Sequence, residues 1–244
     1  MRTILTAALC TLVFGSAAVQ AGDREDALAI LDQAIQAQGG ADALAKFRTA
    51  IRHGEGVVYQ GDDKRPFTDE MTLDVPDRLQ RSAEIDKQVH FAIAVAGDKG
   101  WHALGGKVED LGPERLKELH EEIYVLWLET LLPLRDKGFD LTPLPEIKVN
   151  GRPAVGVQAS SKGHADVKLY FDKTTHLLTK GEWSGKEAGQ SHAKEHFIGD
   201  FKDFDGVKLP THYIETTDGK KICELTSASY QFPVKVDDAA FVRP

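Results

Sequence analysis

His192, Glu195 and His196 stand in the order His-x-x-Glu-His within "SHAKEHFIGDF", residues Ser191 to Phe201. On an α-helix that spacing places two imidazoles one turn apart with a carboxylate beside them, the ligand and general-base set of a zinc-dependent hydrolase. The flanking residues argue against a helix. Gly189 and Gly199 bracket the stretch, with Gly185 just upstream, and glycine at both ends of so short a window favours strand and turn. As a strand, it carries His192, Lys194 and His196 on one face and Ala193, Glu195 and Phe197 on the other. A zinc hydrolase would also need a third ligand downstream, where the chain reads as a hairpin and tail. The zinc enzyme is therefore the alternative reading and no metal is assigned, although His192 and His196 could still converge on a weakly held ion.

Other chemistries fail on similar grounds. Asp203 and Asp205 precede Gly206 in "FKDFDGVKLPTH", but a calcium loop would put Phe201 at its first ligand position and His212 at its bidentate acid. A hairpin turn explains these residues better. "HGEGVVY" around Gly54 and Gly56 lacks the third glycine of a dinucleotide site, and neither a phosphate loop nor a Gly-x-Ser-x-Gly elbow occurs. Of the two cysteines, Cys10 lies in the leader, and Cys223, near Ile222 and Leu225, reads as an inert strand residue. Trp101, Trp127 and Trp183 could stack on a ligand or simply fill a core. The expectation is a non-enzyme that needs no cofactor.

The formal charge of −8, from 38 acidic and 30 basic residues, offers no basic face for nucleic acid. Arg2, the apolar run Ile4–Phe14 and Val19-Gln20-Ala21 read as an export signal over residues 1–21. Leu9 stands where a lipobox before Cys10 would want a small residue, so cleavage after Ala21 and no lipid anchor are expected. No other stretch approaches ~20 apolar residues, which argues against an integral membrane span. Residues 22–244 are expected to form one exported domain, periplasmic or otherwise extracytoplasmic.

The elements that would position these groups begin with a helix over Asp23–Gln38, with Ala27, Ile30, Leu31, Ala34 and Ile35 inward and Gly39-Gly40 as its stop. A short helix follows to Phe47, and then the period changes to two. Phe67, Met71, Leu73 and Val75 alternate with Thr68, Glu70, Thr72 and Asp74, Pro76-Asp77 turns the chain, and Leu79, Ala83 and Ile85 continue the buried face. "VHFAIAV" reads as a central strand through Val89, Phe91, Ile93 and Val95. Asn150-Gly151, Asp205-Gly206 and Asp218-Gly219 mark hairpins. About 10–11 strands result, nearly all hairpin-linked and so antiparallel.

One long helix interrupts them after Gly112-Pro113. Its first half is amphipathic, with Leu116, Leu119 and Ile123 inward and Lys117, Glu118 and Glu121 outward. Its second half, from Ile123 to Leu132, is apolar nearly all round, which requires cover on several sides. It is either a sealed core helix or one with its second face on a ligand cavity.

The order of elements, together with "AIQAQGGADALAKF", "VNGRPAVGVQASSKGHADVKLYFDKTTHLLTKGEW" and "DFKDFDGVKLPTHY", resembles the LolA/LolB-like lipoprotein-carrier superfamily, in particular its diverged outer-membrane lipoprotein-sorting group. The resemblance covers essentially the whole of residues 22–244 and implies an α+β fold. In such a fold a strongly curved antiparallel half-barrel has helices packed on its concave side and holds a lipid or lipoprotein acyl chain between them. Shielding each methylene from water is worth ~0.8 kcal/mol and needs no catalytic group. The lining implied by this resemblance is Phe67, Met71, Leu73, Phe91, Ile93, Val157, Leu169, Phe171 and Trp183 from the sheet. Tyr124, Leu128, Leu131 and Leu132 complete it from the helix, with Tyr124 and Trp183 near the mouth. A structural envelope protein whose barrel is filled by its own side chains remains a further alternative.

Overall fold

The computed structural model describes residues 16–233 and 235–244. Most of the expected export signal therefore lies outside the described residues. Helix α1 (Ser16–Ala37) buries Ala27, Leu31, Ala34 and Ile35, the stripe expected from spacing. It stops at Gly39 and Gly40, both with positive φ. A side chain at position 39 would lie 2.1 Å from the Gly206 carbonyl oxygen, so glycine lets the helix end press against a hairpin that Lys208 N also ties to Gln38 O. Helix α2 (Ala41–Leu44) and a 3-10 turn to Arg48 lead into the sheet.

Six strands form the first meander: β1 (Thr49–Gln60), β2 (Asp63–Asp74), β3 (Arg78–Ile85), β4 (Val89–Ala96), β5 (Lys99–Leu104) and β6 (Lys107–Asp110). Helix α3 (Pro113–Glu129) follows, with Pro113 in its first turn. The second meander is β7 (Asp140–Val149), β8 (Arg152–Ser160), β9 (Val167–Asp172), β10 (Leu178–Glu187), β11 (Gln190–Phe204), β12 (Val207–Thr217) and β13 (Lys220–Gln231). All three expected two-residue hairpins are present, between β7 and β8, β11 and β12, and β12 and β13.

The sheet order is β6-β5-β4-β3-β2-β1-β13-β12-β11-β10-β9-β8-β7, antiparallel throughout and open at β6 and β7. Thirteen strands exceed the 10–11 expected; β5 and β6, only 6 and 4 residues long, offer too little alternation to count from sequence. Strand β4 is internal, third from an edge.

The curvature follows from what α3 touches. It contacts both β4 and β10, which have six strands between them. At ~4.8 Å per strand a flat sheet would separate those two by roughly 34 Å, whereas a 17-residue helix is only about 25 Å long. The sheet must curl around the helix. One face of α3, through Tyr124, Val125 and Leu128, joins the larger core formed with α1 and β7–β12. Its other face, through Leu119 and Ile123, joins a second core with Met71, Leu73, Leu79, Ile93 and Val95.

Candidate ligand-binding cavity

Between the second face of α3 and the curved sheet lies a cavity of about 260 Å³. The helix presents Arg115, Leu119, Glu122, Leu126 and Glu129 to it, steps of three and four residues that follow one helical stripe. From the sheet come Phe67, Met71 and Leu73 of β2, Leu79 and Arg81 of β3, Phe91 and Ile93 of β4, and Trp183, His196 and Tyr213 of the second meander. Most of this wall is apolar, with a few polar groups aimed inward, the usual make-up of a small-molecule site.

Two hydrogen-bonded polar sets stand at this wall, beside Arg115, Glu122 and Glu215. In the first, Arg52 Nη2 and Arg81 Nε both donate to Asp69 Oδ2, at 2.6 and 2.7 Å. Arg52 and Arg81 flank Met71 in register on β1 and β3, and both reach two residues along β2 to the carboxylate. Gly54 is the partner of Asp69 on β1, and a Cβ there would lie 2.5 Å from Asp69 Oδ1, so the glycine makes room for the ion cluster. Burial works against the charged form of Arg81, and the adjacent Asp69 carboxylate outweighs it, holding the guanidinium pKa above the ordinary arginine value.

In the second set, His196 Nδ1 lies 2.8 Å from Glu129 Oε1, tying β11 to α3. Gly181, opposite His196 on β10, leaves space for that carboxylate; a Cβ would approach Glu129 Oε1 to 2.8 Å. The His196 ring packs against Trp183 and Tyr213, with centroids 4.3 and 4.5 Å away. Burial raises the Tyr213 pKa well above its ordinary value and pushes Tyr230 up to about 12, so both phenols stay neutral. Burial also raises Cys223 and Glu122.

No protein-family model matches the sequence, and no curated protein matches it. Solved structures do match. A putative outer membrane lipoprotein-sorting protein domain from Vibrio parahaemolyticus aligns over 89% of this chain and 97% of its own, with a TM-score of 0.54 and 14% identity. A LolA superfamily protein from Nitrosomonas europaea aligns over 89% and 97%, with a TM-score of 0.53 and 11% identity. A DUF1329 family protein from Desulfovibrio piger gives 88% and 97%, 0.53 and 14%. The fold is LolA-like. At these identities the likeness is one of architecture, and the residues of the cavity are this chain's own.

Within the LolA-like frame, six of the residues expected from sequence meet at the cavity: Phe67, Met71, Leu73, Phe91, Ile93 and Trp183. The other seven are placed elsewhere. Leu128, Leu131, Val157, Leu169 and Phe171 are packed in the larger core at 0–1% exposure, with Leu132 against it. Tyr124 is turned away from the cavity: it stacks on His164 at 3.8 Å and its hydroxyl pairs with Ser161 Oγ at 2.9 Å. The apolar second half of α3 thus has a core face and a cavity face, with Leu126 and Ile123 rather than Leu128 on the cavity side. Glu118, expected outward, is buried and accepts from Gly189 N and Arg115.

The His-x-x-Glu-His stretch is part of strand β11. His192 pairs with Asp218 at 2.8 Å, His196 with Glu129, and Glu195 with Lys180 on the opposite face. The three groups diverge, and among the described residues no cluster of three His, Cys, Asp or Glu side chains could hold a metal. Asp203 Oδ1 accepts from Gly206 N within the β11–β12 turn. Among the described residues no helix is long and apolar enough to cross a membrane.

Sequence reasoning missed the charged half of the site. Its signal was present: Asp69 falls in phase with Phe67 and Met71, and Arg81 with Leu79 and Ala83. Opposite charges on the apolar faces of two paired strands mark groups directed inward.

Proposed function

We propose that this chain is an exported, non-enzymatic binding protein that holds a lipid or another apolar ligand between α3 and the concave face of the sheet. The observation that carries the reading is the cavity itself. It is bounded by Leu119, Ile123 and Leu126 on one side and by Phe67, Met71, Ile93 and Trp183 on the other. Most of these side chains pack on one another as a core and still border an unfilled space, which a carrier needs and a sealed core closes. At about 260 Å³ the space lies just under the range of roughly 300–1,000 Å³ typical of ligand sites, which suits one chain rather than the several of a lipoprotein anchor.

The test is titration of the purified protein with the neutral fluorophore N-phenyl-1-naphthylamine, alongside native mass spectrometry of protein from its own host. Saturable fluorescence enhancement and a co-purifying lipid are expected. An absence of both, with an unfolding temperature indifferent to added lipids, would overturn the reading in favour of a filled, purely structural barrel.

A further inference from the structure

Arg81 and Arg52 are an uneconomical pair if their purpose is only to hold the sheet together. Charged groups taken out of water are retained when paired and fully hydrogen-bonded. This protein shows how a complete pair is built: Arg152 donates through Nε and Nη2 to both oxygens of Asp172, at 2.6 and 3.1 Å. At Asp69 the geometry differs. Two guanidiniums converge on the single oxygen Oδ2, while Asp69 Oδ1 and Arg52 Nε, both buried, have no hydrogen-bond partner in the protein. Among the described residues, neither terminal amino group of Arg81 donates a hydrogen bond, and no carboxylate other than Asp69 comes within 4.0 Å of either arginine.

The cluster therefore carries one positive charge in excess, and both of its arginines line the cavity. Arg81 lies deep in the protein, yet 32% of its side-chain surface is accessible, and Arg81 lines the cavity. Trp183 Nε1, also in the wall, is a second buried donor with no partner. With Nε given to Asp69, the Nη1–Nη2 edge of Arg81 remains as a planar fork matched to a carboxylate or a phosphate. Glu122, Glu129 and Glu215 also line the cavity. Glu122 lies 3.7 Å from both Arg115 and Lys194, and Glu129 pairs with His196. Glu215 stays beyond ion-pair distance of Arg52 and Arg81 and opposes an anion there without neutralising them.

We infer that the ligand is a single-chain amphiphile with an anionic head, carboxylate or phosphate. Arg81 and Arg52 hold the head, and the wall of Met71, Ile93, Leu119 and Ile123 packs the chain. The inference rests on the proposed ligand cavity and adds to it the chemical class of the ligand.

The experiment is displacement of N-phenyl-1-naphthylamine from the full chain by dodecanoate, dodecyl phosphate and dodecanol, each below its aggregation threshold. The two anions should compete on the order of tenfold or more better than dodecanol, the factor expected of a charge-assisted hydrogen bond. The better of the two anions separates a fatty-acid head from a phospholipid-derived one. Arg81→Gln should bring the ratio of anion to alcohol close to one, and Arg81→Lys, which keeps the charge and loses the fork, should fall between. Equal competition by anions and alcohol in the unaltered protein, or an unchanged ratio in Arg81→Gln, overturns the inference. Binding of none of the three, with no fluorophore bound, overturns the cavity reading instead. Should Arg81→Gln fail to fold, Glu215→Gln decides: tighter binding of the anions alone supports the inference, and unaltered anion binding defeats it.

Discussion

Glu129 Oε1 and His196 Nδ1, 2.8 Å apart, join the last turn of α3 to the middle of β11 across one end of the cavity. Both side chains are at least nine-tenths buried, so each is the other's replacement for water. Removing one leaves the other buried without its partner, at a cost of about 1–3 kcal/mol. A double-mutant cycle of Glu129→Ala and His196→Ala, read by urea unfolding, should therefore return a coupling energy on the order of 1–2 kcal/mol. Additive losses would show that the contact holds nothing in place.

Leu126 and Leu128 lie two residues apart on α3 and should respond oppositely. Leu128 is fully buried in the larger core, so Leu128→Ala should cost about 2–5 kcal/mol and leave fluorophore affinity nearly unchanged. Leu126 borders the cavity, and Leu126→Trp should fill it, abolishing fluorophore binding with little change in unfolding temperature. Denaturation and fluorescence titration on the two variants check both halves.

Cys223 lies against the same space, and burial raises its thiol pKa. The thiolate, which is the reactive form, should appear only at higher pH than for an ordinary cysteine. In a chain carrying Cys10→Ser, N-ethylmaleimide should modify Cys223 slowly at neutral pH and faster as the pH rises. Saturating amphiphile should protect it. Mass spectrometry of timed samples, with and without dodecanoate, measures both effects.

Acid stability should depend on Asp172. Burial alone would raise its pKa; the Arg152 guanidinium and the Thr174 and Thr175 donors outweigh this and bring it down to about 2. A folded-state pKa below the unfolded value contributes stability at pH above about 4, and that contribution disappears as pH falls toward 2. The amount is on the order of 2 kcal/mol. Asp172→Asn should lower stability at pH 7 and flatten its decline between about pH 4 and 2, as followed by chemical denaturation across that range.

How far the sequence disclosed these features depended on the physical range of each signal. Turn chemistry is local, so Asn150-Gly151, Asp205-Gly206 and Asp218-Gly219 marked their hairpins without knowledge of the rest. The face of a strand is also local, which is why Phe67, Met71, Leu73, Phe91 and Ile93 could be directed to the concave side. The face of α3 was not legible. Leu126 and Leu128 are the same residue type on an apolar stretch, and what separates them is which packed layer lies opposite. That is a tertiary fact supplied by strands far away in sequence. The same holds for Gly54 and Gly181, whose reason is the carboxylate each accommodates from another element.

The connection between edges has one further consequence. Because β6 and β7 are the two margins of the sheet and α3 is the chain between them, the protein is two meanders zipped along a single seam, β1 against β13. The helix that walls the cavity is also the strap joining the two wings at their far sides. A cut in that strap would yield two halves, each with a complete run of neighbouring strands and half of the seam. Reassembly of co-expressed residues 22–111 and 112–244 would show that the β1–β13 seam, with α1 packed on β7 and α3 on β4, re-forms the bowl without a covalent strap.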